Sequence, residues 1–295
     1  MTATLASEVS AAAERIRPYV RRTPVLRTEF DGRPLVLKLE HLQRTGSFKL
    51  RGALNALLSG PLPERVVTAS GGNHGIGVAT AASILGVPAT VYAPKSIPDG
   101  KAERIEAAGA ELVRAGDTYS EAAAAALEVT GARYVEAYND PVVVAGQGTV
   151  AAELVEDVPE VDSIAVSVGG GGLAAGIALG GGRLTVAVEP EHCDCLNRAL
   201  EAGHPVDADT TSVASSALGA TRIGEVPFGI LTSHPVHALR VTDEQILDAQ
   251  TVLWQEFRLA VEPAAATPFA AWLAGQVPGA LPAIVLCGAN TTWTP

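Results

Sequence analysis

Aromatic side chains are scarce in this chain, 4% of 295 residues, whereas glycine occurs 30 times. That balance suits an α/β protein with many tight strand-to-helix turns. Cysteine occurs only at Cys193, Cys195 and Cys287. An odd count without a paired framework argues against a disulfide scaffold and for a reducing compartment. Cys193-x-Cys195 has no second Cys or His pair at zinc spacing, which argues against a structural zinc site. Positive charge is in deficit too: 21 Lys and Arg against 32 Asp and Glu give a formal net charge of -11. Nucleic acid and anionic membrane are therefore not expected as partners, and an anionic ligand must be held by local groups. No long apolar run is present. The longest uncharged stretch, residues 163–182, holds eight glycines in twenty residues and reads as a loop and short helix, not a membrane span. The N-terminus lacks an apolar signal core, and Glu8 and Glu14 oppose a transit sequence, so a cytoplasmic location is expected.

What the chain does contain is 47% hydrophobic residues, enough for one large or two moderate domains. Residues 5–20 read as an amphipathic helix ended by the Thr23-Pro24 turn, and residues 35–40 as a strand. Residues 44–53, Arg-Thr-Gly-Ser-Phe-Lys-Leu-Arg-Gly-Ala, come next. Ser47 stands where an N-cap belongs, before helically spaced Leu50, Leu54, Leu57 and Leu58, so Lys49 falls in the first turn of a helix. The positive end of the helix dipole disfavours an ammonium there and makes the amine more available as a nucleophile. A Schiff base with an aldehyde cofactor needs such an amine. A lysine at this position is more often simply solvated, so the position alone decides nothing.

Strand and helix patterns then alternate through residues 65–136, which predicts a parallel sheet. A second series starts near Asp140, with a helix at 144–157, strands at 163–168 and 184–188, a long loop region over 204–235, helices at 243–258 and 263–275 and a last strand at 283–286. Ser70, Gly71, Gly72, Asn73 and His74 lie between a strand and a helix, where bare backbone N–H groups and the helix start favour an anion. Gly169, Gly170, Gly171, Gly172 and Leu173 have the same context. Four consecutive glycines there suit a phosphate nest, because ordering them costs entropy that a plain turn does not need. The same stretch matches the dinucleotide fingerprint as Gly170-x-Gly172-x-x-Ala175, with Glu189 where a ribose-binding acid belongs. That alternative is an NAD(P)-dependent oxidoreductase, and it leaves Lys49 and the Ser70 loop without a task. Cys287 ends the last strand, at the sheet edge where ligands bind in such folds.

Taken in order, these segments resemble the serine/threonine dehydratase family, pyridoxal-phosphate enzymes of the tryptophan-synthase-β-like fold (fold type II). The resemblance runs from Thr23-Pro24 to Asn290 and includes residues 37–53, 70–75, 145–149, 169–173, 262–264 and 287–290. It implies two parallel-sheet α/β domains, residues 1–61 plus 139–295 as the large cofactor-binding domain and 62–138 as the small one. It implies pyridoxal 5'-phosphate carried by Lys49 as a Schiff base and α,β-elimination of L-threonine or L-serine to 2-oxobutyrate or pyruvate plus ammonia. By carry-over, Phe48 packs beside the cofactor ring, Asn73 contacts its hydroxyl, and Gly169, Gly170, Gly171, Gly172 and Leu173 cradle its phosphate. Glu262 joins the cofactor set, and Cys287 faces the pyridine nitrogen as a neutral thiol, which suits elimination better than transamination. Ser70, Gly71, Gly72, Asn73, His74 and Tyr138 are the substrate-binding set. A serine-racemase-like activity is the nearest alternative, but the second acid/base serine of eukaryotic racemases aligns with Gly71. Racemase-like members also bind a cation. Glu189 and Cys193 fall at two of its ligand positions, with Cys195 in place of the acid, and a thiol is a poor ligand for magnesium or calcium. The implied partners are a small amino acid and a second copy of the chain in a homodimer.

Overall fold

The computed structural model describes residues 2–291, with side chains from residue 7 onward. Helix α1 (Thr2–Ile16) precedes the antiparallel pair β1 (Val25–Phe30) and β2 (Arg33–Lys38), and α2 (Lys49–Leu58) follows. Next come β3 (Val66–Ala69), α3 (Asn73–Leu85), β4 (Ala89–Ala93), α4 (Asp99–Ala107), β5 (Glu111–Arg114), α5 (Tyr119–Leu127) and β6 (Arg133–Tyr134). These strands form a 4-stranded parallel sheet in the order β5-β4-β3-β6. The rest of the chain adds α6 (Pro141–Asp157), β7 (Ser163–Ser167), α7 (Gly172–Gly181), β8 (Leu184–Pro190), α8 (Cys195–Ala202), α9 (Ser215–Leu218) and α10 (Glu225–Leu231). It closes with β9 (Val236–Val241), α11 (Asp243–Phe257), α12 (Pro263–Leu273) and β10 (Pro282–Val285). The second sheet is 6-stranded, β1-β2-β10-β7-β8-β9, parallel except for the first pair.

The central strands β7 and β10 are buried at every position, as a parallel strand covered on both faces must be. Their core joins Val166, Val188, Ile284 and Phe269. A second core beneath the smaller sheet gathers Val66, Val78, Val91 and Ile105. Helix α2 links the two. Leu50, Leu54 and Leu57 pack into the smaller core, while Arg51 turns the other way as a fully buried guanidinium. It donates to Glu40 through Nε at 2.9 Å and Nη2 at 2.7 Å, and to Glu153 on α6 through Nη1 and Nη2 at 2.8 Å. Lys38 adds a second cation to Glu153 at 3.0 Å, so one buried and one half-buried carboxylate meet two buried cations.

Two expectations need correction. Residues 204–235 are not one loop, because α9 and α10 form inside them. Ser47 is not the N-cap of α2. The residue before the helix is Phe48, in αR geometry and without a side-chain cap, while Ser47 forms a bridge to Gly288. The reason is a backbone splice: the Phe48 N–H donates to Cys287 O at 3.1 Å and the Ala289 N–H to Gly46 O at 2.8 Å. That splice ties the start of α2 to the end of β10.

Candidate active site

The C-terminal ends of both sheets face one cleft of about 610 Å³, where three helices start. Helix α2 brings Phe48 and Lys49, α3 brings Ser70, Gly71, Gly72, Asn73 and His74, and α7 brings Gly169, Gly170, Gly171, Gly172 and Leu173. Tyr138, Glu262 and Cys287 complete the expected set, and every one of these residues lines the cleft. Glu189 and Cys193 do not line it.

Lys49 Nζ donates to Ala137 O at 2.9 Å and stands 5.2 Å from the centre of the Phe48 ring. Burial pulls its amine down from the usual lysine range to about 8, with Cys287 acting in the opposite sense. The available amine expected from the helix dipole is therefore present, and burial is what produces it. At neutral pH a usable fraction is the free base.

Around the α7 start, the backbone N–H groups of Gly169, Gly170, Gly171, Gly172 and Leu173 have no acceptor among the described residues. Gly171 takes φ +91, a left-handed conformation that favours glycine. At Gly170 a Cβ would come within 2.4 Å of the Tyr138 ring, so only glycine lets that ring lie on the loop. At the α3 start, Ser70 Oγ accepts from the Gly72 N–H at 3.1 Å, while the N–H groups of Gly71, Asn73 and His74 have no acceptor among the described residues. The cleft thus offers two clusters of bare amides, each at the positive end of a helix.

The remaining polar groups are fixed by each other. Asn73 Nδ2 donates to Glu262 Oε1 at 2.8 Å, and Asn290 Nδ2 donates to Asn73 Oδ1 at 2.7 Å and to Thr45 O at 2.9 Å. Burial raises the Glu262 carboxyl to about 7, against the bonds from Asn73 and the Asn290 backbone. The His74 ring contacts Thr68 Oγ1 at 2.9 Å and Val135 O at 3.1 Å, and burial holds it neutral with a pKa of about 3. Its ring is committed to the sheet, so its part in the cleft is its backbone. Cys287 Sγ lies 3.4 Å from Ser167 Oγ, and burial pushes the thiol up to about 12.

Glu189 is engaged within the protein and does not face the cleft. Its carboxylate is fully buried and accepts from Leu196 N at 2.8 Å, Asn197 N at 2.9 Å and Asn197 Nδ2 at 2.8 Å, which anchors the start of α8. No oxygen is left to face a ribose. Cys193 is buried near Asp243, Glu189 and Asp194, and burial together with their charges pushes its thiol up to about 11. Among the described residues no three His, Cys, Asp or Glu side chains gather to hold a metal.

The sequence pattern missed Ser167, Lys101 and the α9 segment, all of which line the cleft. Ser167 is the last residue of β7, and a place at a strand end is the only cue it offered. Lys101 and α9 carried no cue.

The profile of the family described as "Pyridoxal-phosphate dependent enzyme" matches residues 16–288. The chain belongs to this family. Its cofactor is pyridoxal 5'-phosphate, which removes the nicotinamide alternative. Among relatives, L-threonine ammonia-lyase of Geobacter sulfurreducens is 38% identical over 284 residues, 91% of this chain and 71% of the relative. Serine racemase of Arabidopsis thaliana is 34% identical over 283 residues, 91% of this chain and 85% of the relative. The crystal structure of a threonine deaminase from T.th. superposes with a TM-score of 0.92 at 37% identity, covering 98% of this chain and 99% of that one. The fold is thus the fold type II architecture that the resemblance implied. The cleft fits a pyridoxal phosphate: one lysine with a lowered pKa, and an amide nest without acceptors of its own for a phosphate.

Proposed function

We propose that the protein dehydrates and deaminates β-hydroxy amino acids, L-threonine and L-serine among them, to 2-oxobutyrate or pyruvate and ammonia. The water lost in the elimination is taken back when the enamine hydrolyses. The observation that carries this is the juxtaposition in one cleft of Lys49, of a neutral thiol at Cys287, and of two bare amide nests. Bound at Lys49, pyridoxal phosphate supplies an electron sink for the pair left on Cα. Phe48 would pack beside the cofactor, Asn73, steered by Glu262 and Asn290, would offer it a hydrogen bond, and the bare amides at residues 169–173 would hold its phosphate. Ser70 and the free amides of Gly71, Asn73 and His74 bind the substrate carboxylate, and Tyr138 closes the side of the cleft next to Ala137. Lys49 Nζ, with a pKa of about 8, is available as the free base that removes the Cα proton. Leaving of the β-hydroxyl, with a proton, completes the elimination, and the released enamine hydrolyses to the 2-oxo acid and ammonia. The test is release of 2-oxo acid and ammonia from L-threonine and L-serine by cofactor-loaded protein. No turnover of either, nor of other β-hydroxy amino acids, would contradict it.

Residues 62–138, around the smaller sheet, are read as the small domain, against a large domain of 1–61 and 139–295. A cytoplasmic setting agrees with three free, buried cysteines. A homodimer rests on the resemblance.

Two consequences follow for glycines of the cleft. Gly170→Ala drives the Tyr138 ring off the loop, so the Kd for pyridoxal phosphate is expected to rise about ten-fold or more, on the scale of an overpacking cost. A spectroscopic titration measures it, and an unchanged Kd removes the phosphate role of that loop. Gly71 bears on racemisation, which needs acid/base groups on both faces of the carbanion. Lys49 supplies one, and glycine supplies none. Wild-type protein is therefore expected to form far less D-serine than pyruvate from L-serine. A Cβ at Gly71 would meet Ile97 at an ordinary 3.5 Å, so Gly71→Ser fits and should raise the D-serine fraction, read by chiral chromatography. D-serine and pyruvate formed at similar rates by the wild type would refute this.

A further inference from the structure

Strand β7 is buried at every position and carries a serine at each end, Ser163 and Ser167. A buried hydroxyl is tolerated only where it finds a hydrogen-bond partner. Ser163 Oγ finds a strong one, donating to the backbone carbonyl of Pro278 at 2.5 Å. Ser167 Oγ has Cys287 Sγ at 3.4 Å and no other partner among the described residues. Sulfur is a weak acceptor and a thiol a weak donor, so the fold itself gains little from this hydroxyl. Both residues line the cleft. Burial keeps the thiol neutral, with a pKa of about 12, while the charges of Glu262 and Lys49 act on it in opposite senses. The pair therefore meets the cofactor site as two neutral groups that own two hydrogens, one on oxygen and one on sulfur.

We propose that Ser167 is a positioning residue that keeps the cofactor's ring nitrogen unprotonated: its hydroxyl donates to Cys287 Sγ and leaves the thiol hydrogen for that nitrogen. The proposal rests on the elimination proposed above and on the place at the ring that the resemblance implies for Cys287. A count of hydrogens carries it. Against a bare nitrogen, both hydrogens of the pair have acceptors. Against a protonated nitrogen there are three hydrogens to place. The ring N–H then takes the sulfur, the thiol takes Ser167 Oγ, and the Ser167 hydroxyl is left without an acceptor. An orphaned buried hydroxyl costs more than an orphaned thiol, the weaker donor, so Ser167 deepens the bias that Cys287 alone would give. That bias favours elimination over transamination, because charge at Cα that the ring does not take up is relieved by loss of the β-hydroxyl.

The test follows the S–H stretch of Cys287 by infrared spectroscopy in empty and pyridoxal-phosphate-loaded protein, with Cys287→Ser identifying its band among the three thiols. In parallel, NMR of pyridoxal phosphate isotope-labelled at its ring nitrogen reports whether the bound nitrogen carries a proton. In the wild type the S–H band is expected to fall in frequency on loading, and the resonance to be that of an unprotonated, hydrogen-bonded nitrogen. Ser167→Ala should let the band rise again and move the resonance toward the protonated ring. It should also lower kcat for ammonia release from the better of L-threonine and L-serine about five-fold, with KM little changed. Ser167→Thr, which keeps the hydroxyl, should restore band, resonance and rate. A wild-type band unmoved by loading overturns the proposal without need of any variant, and so does a protonated nitrogen in the wild type. An unchanged band and resonance in well-folded Ser167→Ala overturns it as well, since the hydroxyl then only fills space. Those results leave the elimination standing. Loaded wild type that releases no ammonia from any β-hydroxy amino acid contradicts the elimination itself.

Discussion

Lys49→Ala is expected to abolish turnover while leaving the fold intact. The side chain makes one hydrogen bond, to Ala137 O at 2.9 Å, and lies partly open to the cleft. Its Cβ packs at Gly77, where an added carbon would stand 3.1 Å away, and alanine keeps that contact. The stability change should stay within about 1.5 kcal/mol, the net worth of one such bond. Against this, the change removes both the attachment point of the cofactor and the base for the Cα proton. A positioned base alone contributes roughly 10²–10⁴-fold, so a loss of about 10³-fold or more is expected. Circular dichroism and thermal melting check the fold, and ammonia release checks the rate. Substantial activity in a well-folded Lys49→Ala protein would remove Lys49 from the mechanism.

Cys287→Asp carries the second large effect. The thiol is buried, neutral across the working range with a pKa of about 12, and 3.4 Å from Ser167 Oγ. A carboxylate in its place is desolvated and close enough to act on Lys49, which already feels the thiol. The sign is fixed by charge: an anion raises the Lys49 pKa above about 8, so less free amine remains at neutral pH. Well below the pKa, the free base falls about ten-fold for each pH unit by which that pKa rises. The pH profile of kcat/KM should move to higher pH, with a lower rate at neutral pH. A carboxylate facing a pyridine nitrogen also holds it protonated, which favours transamination over elimination. Cys287→Ser should keep most of the activity, since a hydroxyl is a neutral partner that can still bond Ser167. Equal rates and equal profiles for wild type and the Asp variant would show that residue 287 is not at the ring.

Much of the site was legible because its signals are local. The buried run of β7 followed by four glycines announces a strand end and a bare loop within ten residues, and Ser70 to His74 repeats the pattern after β3. What escaped depends on distance in space. Glu189 ends a strand where a ribose-binding acid would stand, and only the position of α8 shows its oxygens already taken. Ser47 has the right residue type for an N-cap, but pairing with Gly288, far along the chain, draws it into a bridge. Strand β9 lies at a sheet edge with one fully buried position, so His237 and Arg240 can interrupt its apolar pattern without penalty. Lys101 looks like any solvated helical lysine until the cleft walls from α3, α9 and α12 are brought up to it.

The central claim is that Lys49 carries pyridoxal phosphate. Its most direct test is the visible absorption spectrum of the purified protein with added cofactor, followed by borohydride reduction and peptide mapping by mass spectrometry. The expected result is a visible band that borohydride removes, with the pyridoxyl phosphate mass on the peptide containing Lys49 and on no other. Absence of the band under cofactor supplementation, or a label on another lysine, would contradict it.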